Sequence, residues 1–66
     1  MEIIVNGEQR QVPDACTAAQ LVNVMGLGPQ RIAMEVNLEI VPRSTYEKHA
    51  LQPGDRIEFV HALGGG

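Results

Sequence analysis

Thr17 and Gln20 stand at the spacing of a capping box. In that device a hydroxyl accepts the amide of the third helical residue, and the side chain three positions on reaches back to the amide of the cap. A helix is therefore expected to begin at Ala18. Its apolar positions, Ala18, Leu21, Val22, Val24 and Met25, include the three- and four-residue steps of one buried face, and Gly26 is placed to end it in a left-handed C-cap. Two turns of helix are marginal in water by themselves. The segment needs a sheet to lie on, and the rest of the chain must supply it.

The flanking sequence reads as strands. Residues 2–5 are β-prone, and Asn6-Gly7 supplies the positive φ values that a two-residue hairpin requires. The return strand, 8–12, is polar, which suits an exposed edge, and Pro13-Asp14 closes the hairpin. After Gly28-Pro29, Ile32, Met34 and Val36 alternate with Ala33 and Glu35, the pattern of a strand with one face on a core. Asn37-Leu38 marks a turn, followed by a short strand over 39–41 stopped by Pro42. Ser44 and Glu47 have the spacing of a second capping box, predicting a short helical turn through His49. Pro53-Gly54-Asp55 then turns the chain into a last strand over 56–63, with Ile57 and Phe59 on one face and Glu58, Val60 and Ala62 on the other. Ile3 and Val5 face one way and Ile4 the other, so the first strand is expected in the interior of the sheet. The order is hairpin, helix and three further strand segments, an α+β arrangement with the element order of the β-grasp, or ubiquitin-like, fold. A mixed sheet packed on one main helix, with a second short helical turn, is the predicted architecture.

Composition narrows what such a domain does. Sixty-six residues make one small domain with a thin core. Domains of this size often rely on disulfides, yet Cys16 is the chain's single cysteine, and a reducing compartment such as the cytosol fits best. No run of about 18 apolar residues is long enough to span a membrane. Met1-Glu2-Ile3 lacks the basic start of a signal peptide, so a soluble protein unprocessed at that end is expected. Eight acidic against five basic residues, a formal charge of −3, argue against a nucleic-acid partner, as does an aromatic content of one Tyr, one Phe and no Trp.

Few titratable groups are available for catalysis. His61 has no identified acid, base or nucleophile partner, and His49 suits the end of a helical turn. Cys16 beside the Thr17 cap is read either as a thiol activated by a helix N-terminus or as a small residue filling the junction of hairpin and helix. Cys16, His49 and His61 lack metal-ligand spacing, so no metal is expected. A phosphate-binding glycine loop is missing as well, and Gly26-Leu27-Gly28-Pro29 does not make one. Any reaction that consumes a nucleotide must be performed by a partner.

The sequence closes on Gly64-Gly65-Gly66. Glycine has no Cβ, so this stretch is the thinnest and most permissive backbone a protein can present, able to thread into a narrow pocket elsewhere. A merely frayed end is the alternative. Residues 1–63 are read as the folded domain and 64–66 as its tail.

Size, element order and the Gly-Gly end, together with Asn37-Leu38-Glu39-Ile40-Val41-Pro42-Arg43 and Pro53-Gly54-Asp55-Arg56-Ile57, resemble the ThiS family of thiamin-pathway sulfur carriers over essentially the whole chain. Val-Pro-Arg at this distance from the end is the more discriminating motif. Leu38 stands where glycine is frequent in that family. The resemblance implies a carrier rather than an enzyme, with no cofactor of its own. The carboxylate of Gly66 would be adenylated with ATP by an E1-like enzyme of the ThiF type and converted to a thiocarboxylate. A sulfur donor such as a cysteine desulfurase system would supply the sulfur, and a thiazole synthase of the ThiG type would consume it. Gly64 and Gly65 would give access. Strand alternation, which sets Glu58, Val60 and Ala62 on the face away from the helix near the root of the tail, makes these the candidate partner contacts. Two related readings use the same terminus: the small subunit of molybdopterin synthase, and a ubiquitin-like modifier joined to lysines through Gly66.

Overall fold

The computed structural model describes residues 1–27 and 32–61. Strands β1 (Glu2–Val5) and β2 (Glu8–Gln11) form the first hairpin, α1 covers Ala18–Val24, and β3 (Ile32–Val36) and β4 (Glu39–Val41) form the second hairpin. A 3-10 turn at Arg43–Thr45 and strand β5 (Arg56–His61) follow. The strands make one sheet in the order β2-β1-β5-β3-β4. β5 runs parallel to β1 and antiparallel to β3, so the last strand in sequence is the central one in space. This is the β-grasp arrangement that the element order predicts.

Ile3 and Val5 of β1, Ile32, Met34 and Val36 of β3 and Ile57 of β5 are buried with Ala18, Leu21 and Val22 of α1 in one core, and Phe59 packs at its margin. The alternation in β1, β3 and β5 is what aims these side chains to the helix side of the sheet. Ile4 is half-buried on the other face, as expected for a strand with neighbours on both flanks.

Helix α1 has the predicted ends. Thr17 Oγ1 accepts from the Gln20 amide at 3.2 Å, and Gln20 Oε1 accepts from the Thr17 amide at 2.9 Å. At the other end Gly26 adopts φ +71°, its amide donates to the Asn23 carbonyl, and the Leu27 amide donates to the Val22 carbonyl. That pair of bonds is a Schellman motif. The remaining first-turn donors are met from far away in the chain. The amide of Ala18 donates to the His49 carbonyl at 2.9 Å and that of Ala19 to the Tyr46 carbonyl at 3.1 Å.

Three expectations change. Val24 is 62% exposed rather than part of the buried face. At about 100° per residue, Ala18, Leu21, Val22 and Met25 share an arc of roughly 100°, and Val24 falls outside it. Ser44 and Glu47 do not form a capping box: the tight turn starts directly after Pro42, which has no side-chain cap bond, and Thr45 Oγ1 donates to the Pro42 carbonyl at 2.8 Å. Ser44 already lies inside the turn. The polar strand ends at Gln11, and Val12 beyond it is buried. The segment 62–63, assigned to the last strand from sequence, lies outside the described residues.

Candidate functional site

The face of the sheet opposite α1 is the surface that the tail-bearing strand offers to solvent. Its composition follows from register. Glu58 of β5 stands opposite Glu35 of β3, which stands opposite Ile40 of β4, and one row further along Val60 stands opposite Ala33. Glu58 is exposed, Val60 is 41% exposed and Ile40 is 61% exposed. Two carboxylates placed directly across neighbouring strands disfavour one another mildly. The patch is an acidic centre with apolar residues on either side, on a strand that continues covalently toward the terminal glycines.

Of the residues singled out from sequence, Glu58 and Val60 sit together on this face. Ala62, Gly64, Gly65 and Gly66 lie outside the described residues. Ala33, Glu35 and Ile40 belong to the same face and are not found by sequence reasoning. Their off-core positions in the alternation are readable, but the pairing that sets them beside Glu58 and Val60 is a long-range register.

Cys16 is 2% exposed beneath the start of α1 and hydrogen-bonded to the Thr17 carbonyl, and burial pushes its thiol pKa up. Of the two readings of this cysteine, the structure favours the packing residue over the activated thiol. His49 is half-buried in a groove beside β4, and His61 is exposed at the end of β5. Among the described residues no three of His, Cys, Asp and Glu come together as a metal site, and no helix is long and apolar enough to cross a membrane.

The turn of the second hairpin is hydrogen-bonded to the last strand. Asn37 and Leu38 form its two-residue turn at φ +52° and +70°. Asn37 Oδ1 accepts from the Arg56 amide at 3.0 Å, its Nδ2 donates to Asp55 Oδ1 at 3.0 Å, and its own amide donates to the Arg56 carbonyl at 2.8 Å. The turn is thereby fastened to the start of β5. Its glycine-like position carries a leucine that is 83% exposed.

A five-stranded β-grasp domain with one helix, whose central strand leads toward a glycine terminus, defines a class of small ubiquitin-like proteins. Within that class the chain belongs to the ThiS family, which it matches over residues 3–66. It is 39% identical over 66 residues to a thiazole synthase of Paramagnetospirillum magneticum, covering all of this chain and 20% of that protein. It is 29% identical to the sulfur carrier protein ThiS of Escherichia coli, with both chains covered in full. The crystal structure of the thiamine biosynthesis protein ThiS from Geobacter metallireducens superposes with a TM-score of 0.84 at 26% identity, again over the whole of both chains. The chain thus spans about a fifth of the thiazole synthase relatives and the full length of the small carrier.

Proposed function

We propose that this protein carries sulfur for thiazole formation in thiamin biosynthesis, with the main-chain carboxylate of Gly66 as the carrying group. The observation that supports this most is that the family match runs through Gly66 itself, so it includes the tail as well as the fold. A carboxylate is a poor electrophile. Its attack on the α-phosphate of ATP, in an E1-like enzyme of the ThiF type, expels pyrophosphate and leaves an acyl-adenylate with a good leaving group. A sulfur nucleophile from a cysteine desulfurase system then displaces AMP. That nucleophile is the outer sulfur of a persulfide, so the product is an acyl disulfide. A second thiol then attacks the persulfide's inner sulfur, forming a disulfide with it and releasing the thiocarboxylate, which delivers its sulfur to a thiazole synthase of the ThiG type. The protein is the co-substrate of these enzymes and holds neither ATP nor a cofactor. The folded part is the handle, residues 64–66 are the reach, and the cytosol is the compartment.

Intact-protein mass after incubation with the adenylating enzyme, ATP and a sulfur donor tests the proposal. Wild type is expected to gain the difference of one sulfur for one oxygen, localised to Gly66. Gly65→Val is expected to gain little, because a β-branched side chain stiffens the backbone and clashes in a channel shaped for glycine. No gain by wild type, with an enzyme proven active on another carrier, overturns the reading. Val60→Asp examines the handle: the fold is retained, while affinity for the adenylating enzyme falls, because an unpaired carboxylate is costly to bury at an interface.

A further inference from the structure

The tip of the second hairpin does something that stability does not ask for. A two-residue turn with positive φ at both positions is met best by Asn-Gly, since a side chain at the second position crowds the backbone in the left-handed region. Here that position is Leu38, at φ +70° and 83% exposed, so its side chain recovers little by burial in the domain. Asn37 meanwhile holds the turn rigidly against Asp55 and Arg56. A strained residue that the surroundings fix in place and the core does not use points to a role outside the fold.

Leu38 also has company. Ile40, two residues on, is 61% exposed, and beside it opens a groove of about 440 Å³ lined in part by Ile40, Val41, Pro42, Thr45 and His49. The hairpin thus presents an apolar knob next to a recess. Its surroundings are mixed in charge: Glu39 borders the groove, the Glu35 and Glu58 pair lies on the face opposite α1 beyond Ile40, and exposed Arg56 stands against the turn itself. Such a knob fits an apolar pocket on another protein, bordered by charges of both signs.

Position selects which protein. The tip lies beside Arg56, at the start of β5, and the tail follows His61 at its other end, about 17 Å away for five strand steps. A contact there leaves the tail root clear. In the thiazole synthase relatives the segment matching this chain is a fifth of a longer protein. A carrier segment that shares a chain with a synthase is expected to touch it through a standing surface, and one remote from the tail root leaves the tail its reach. Resting on the sulfur-carrier reading above, we propose that Leu38, with Ile40 and the adjoining groove, is the anchor by which this protein docks on the thiazole synthase, and that the adenylating enzyme does not use it.

The test compares wild type with Leu38→Gly and Leu38→Asn, two residues that accept the left-handed conformation. Both variants are expected to melt a few degrees higher than wild type. Both are expected to bind the thiazole synthase of the same organism about tenfold more weakly by calorimetry, as loss of an apolar anchor implies. Binding to the adenylating enzyme and the mass gain at Gly66 are expected to stay within about twofold of wild type. Unchanged affinity for the synthase overturns the anchor, and a loss confined to the adenylating enzyme overturns the choice of partner. A fall in melting temperature shows that Leu38 serves the fold, which also overturns it. Wild type that fails to gain sulfur at Gly66 and fails to bind the synthase brings down the carrier reading beneath. Wild type that gains sulfur and binds, with variants that bind equally well, removes Leu38 alone.

Discussion

The two hairpins of this domain turn on the same backbone and differ by one side chain. Asn6 and Gly7 adopt φ +49° and +84°, and Asn37 and Leu38 adopt +52° and +70°. In both turns the asparagine also does the work of a strand residue. Asn6 Oδ1 accepts the Phe59 amide at 2.9 Å and Asn37 Oδ1 accepts the Arg56 amide at 3.0 Å, one from each flank of β5. The first turn then takes glycine, the residue its conformation favours. The second takes leucine. The difference teaches that the hairpin geometry comes from asparagine and register, so the following position is free to be spent on something other than stability.

Three measurements break or sharpen that comparison. The largest effect is expected for Asn37→Ala, which removes two side-chain hydrogen bonds and puts a Cβ-bearing residue without a helpful side chain in the left-handed region. A loss of about 2–3 kcal/mol is expected in denaturant unfolding. Asn6→Ala removes one such bond and is expected to lose less, about 1–2 kcal/mol. If the order is reversed, the second turn is not the more firmly held of the two. Gly7→Leu makes the first turn a copy of the second. A Cβ at Gly7 meets nothing within 4 Å, so the cost of the change comes chiefly from the left-handed backbone. It is expected to cost about 1 kcal/mol, equivalent to several degrees in melting temperature for a domain of this size. If Gly7→Leu is neutral, a left-handed leucine is harmless and the strain at Leu38 carries no message.

What could be read from the sequence were the devices that act over a few residues. Asn6-Gly7, the Thr17 and Gln20 box, the Gly26 stop and the alternation of Ile32, Met34 and Val36 each state their geometry locally, and all are found in place. Ser44 and Glu47 show the limit of such reading. The same spacing that caps α1 fails there because Pro42 starts a tighter turn and Thr45 takes its carbonyl. Long-range features were not legible. Nothing near Asn37 announces that its amide will bond to Asp55 and Arg56, and nothing near Glu35 announces Glu58 opposite. The outer face was therefore seen only through β5, where Glu58 and Val60 alternate with Ile57 and Phe59, and the contribution of β3 and β4 emerged with the register.

The central place of β5 has a mechanical meaning. If, as proposed, an enzyme draws on the chain beyond His61, a pull in line with β5 meets the whole sheet. The strand is bonded to β1 on one flank and to β3 on the other, with the Asn37 turn clasping it at Arg56 and the Asn6 turn at Phe59. Force along the strand loads those bonds side by side, in shear, instead of peeling them off one at a time as it would from an edge. The domain can thus be gripped by its end and held taut while the rest keeps its shape.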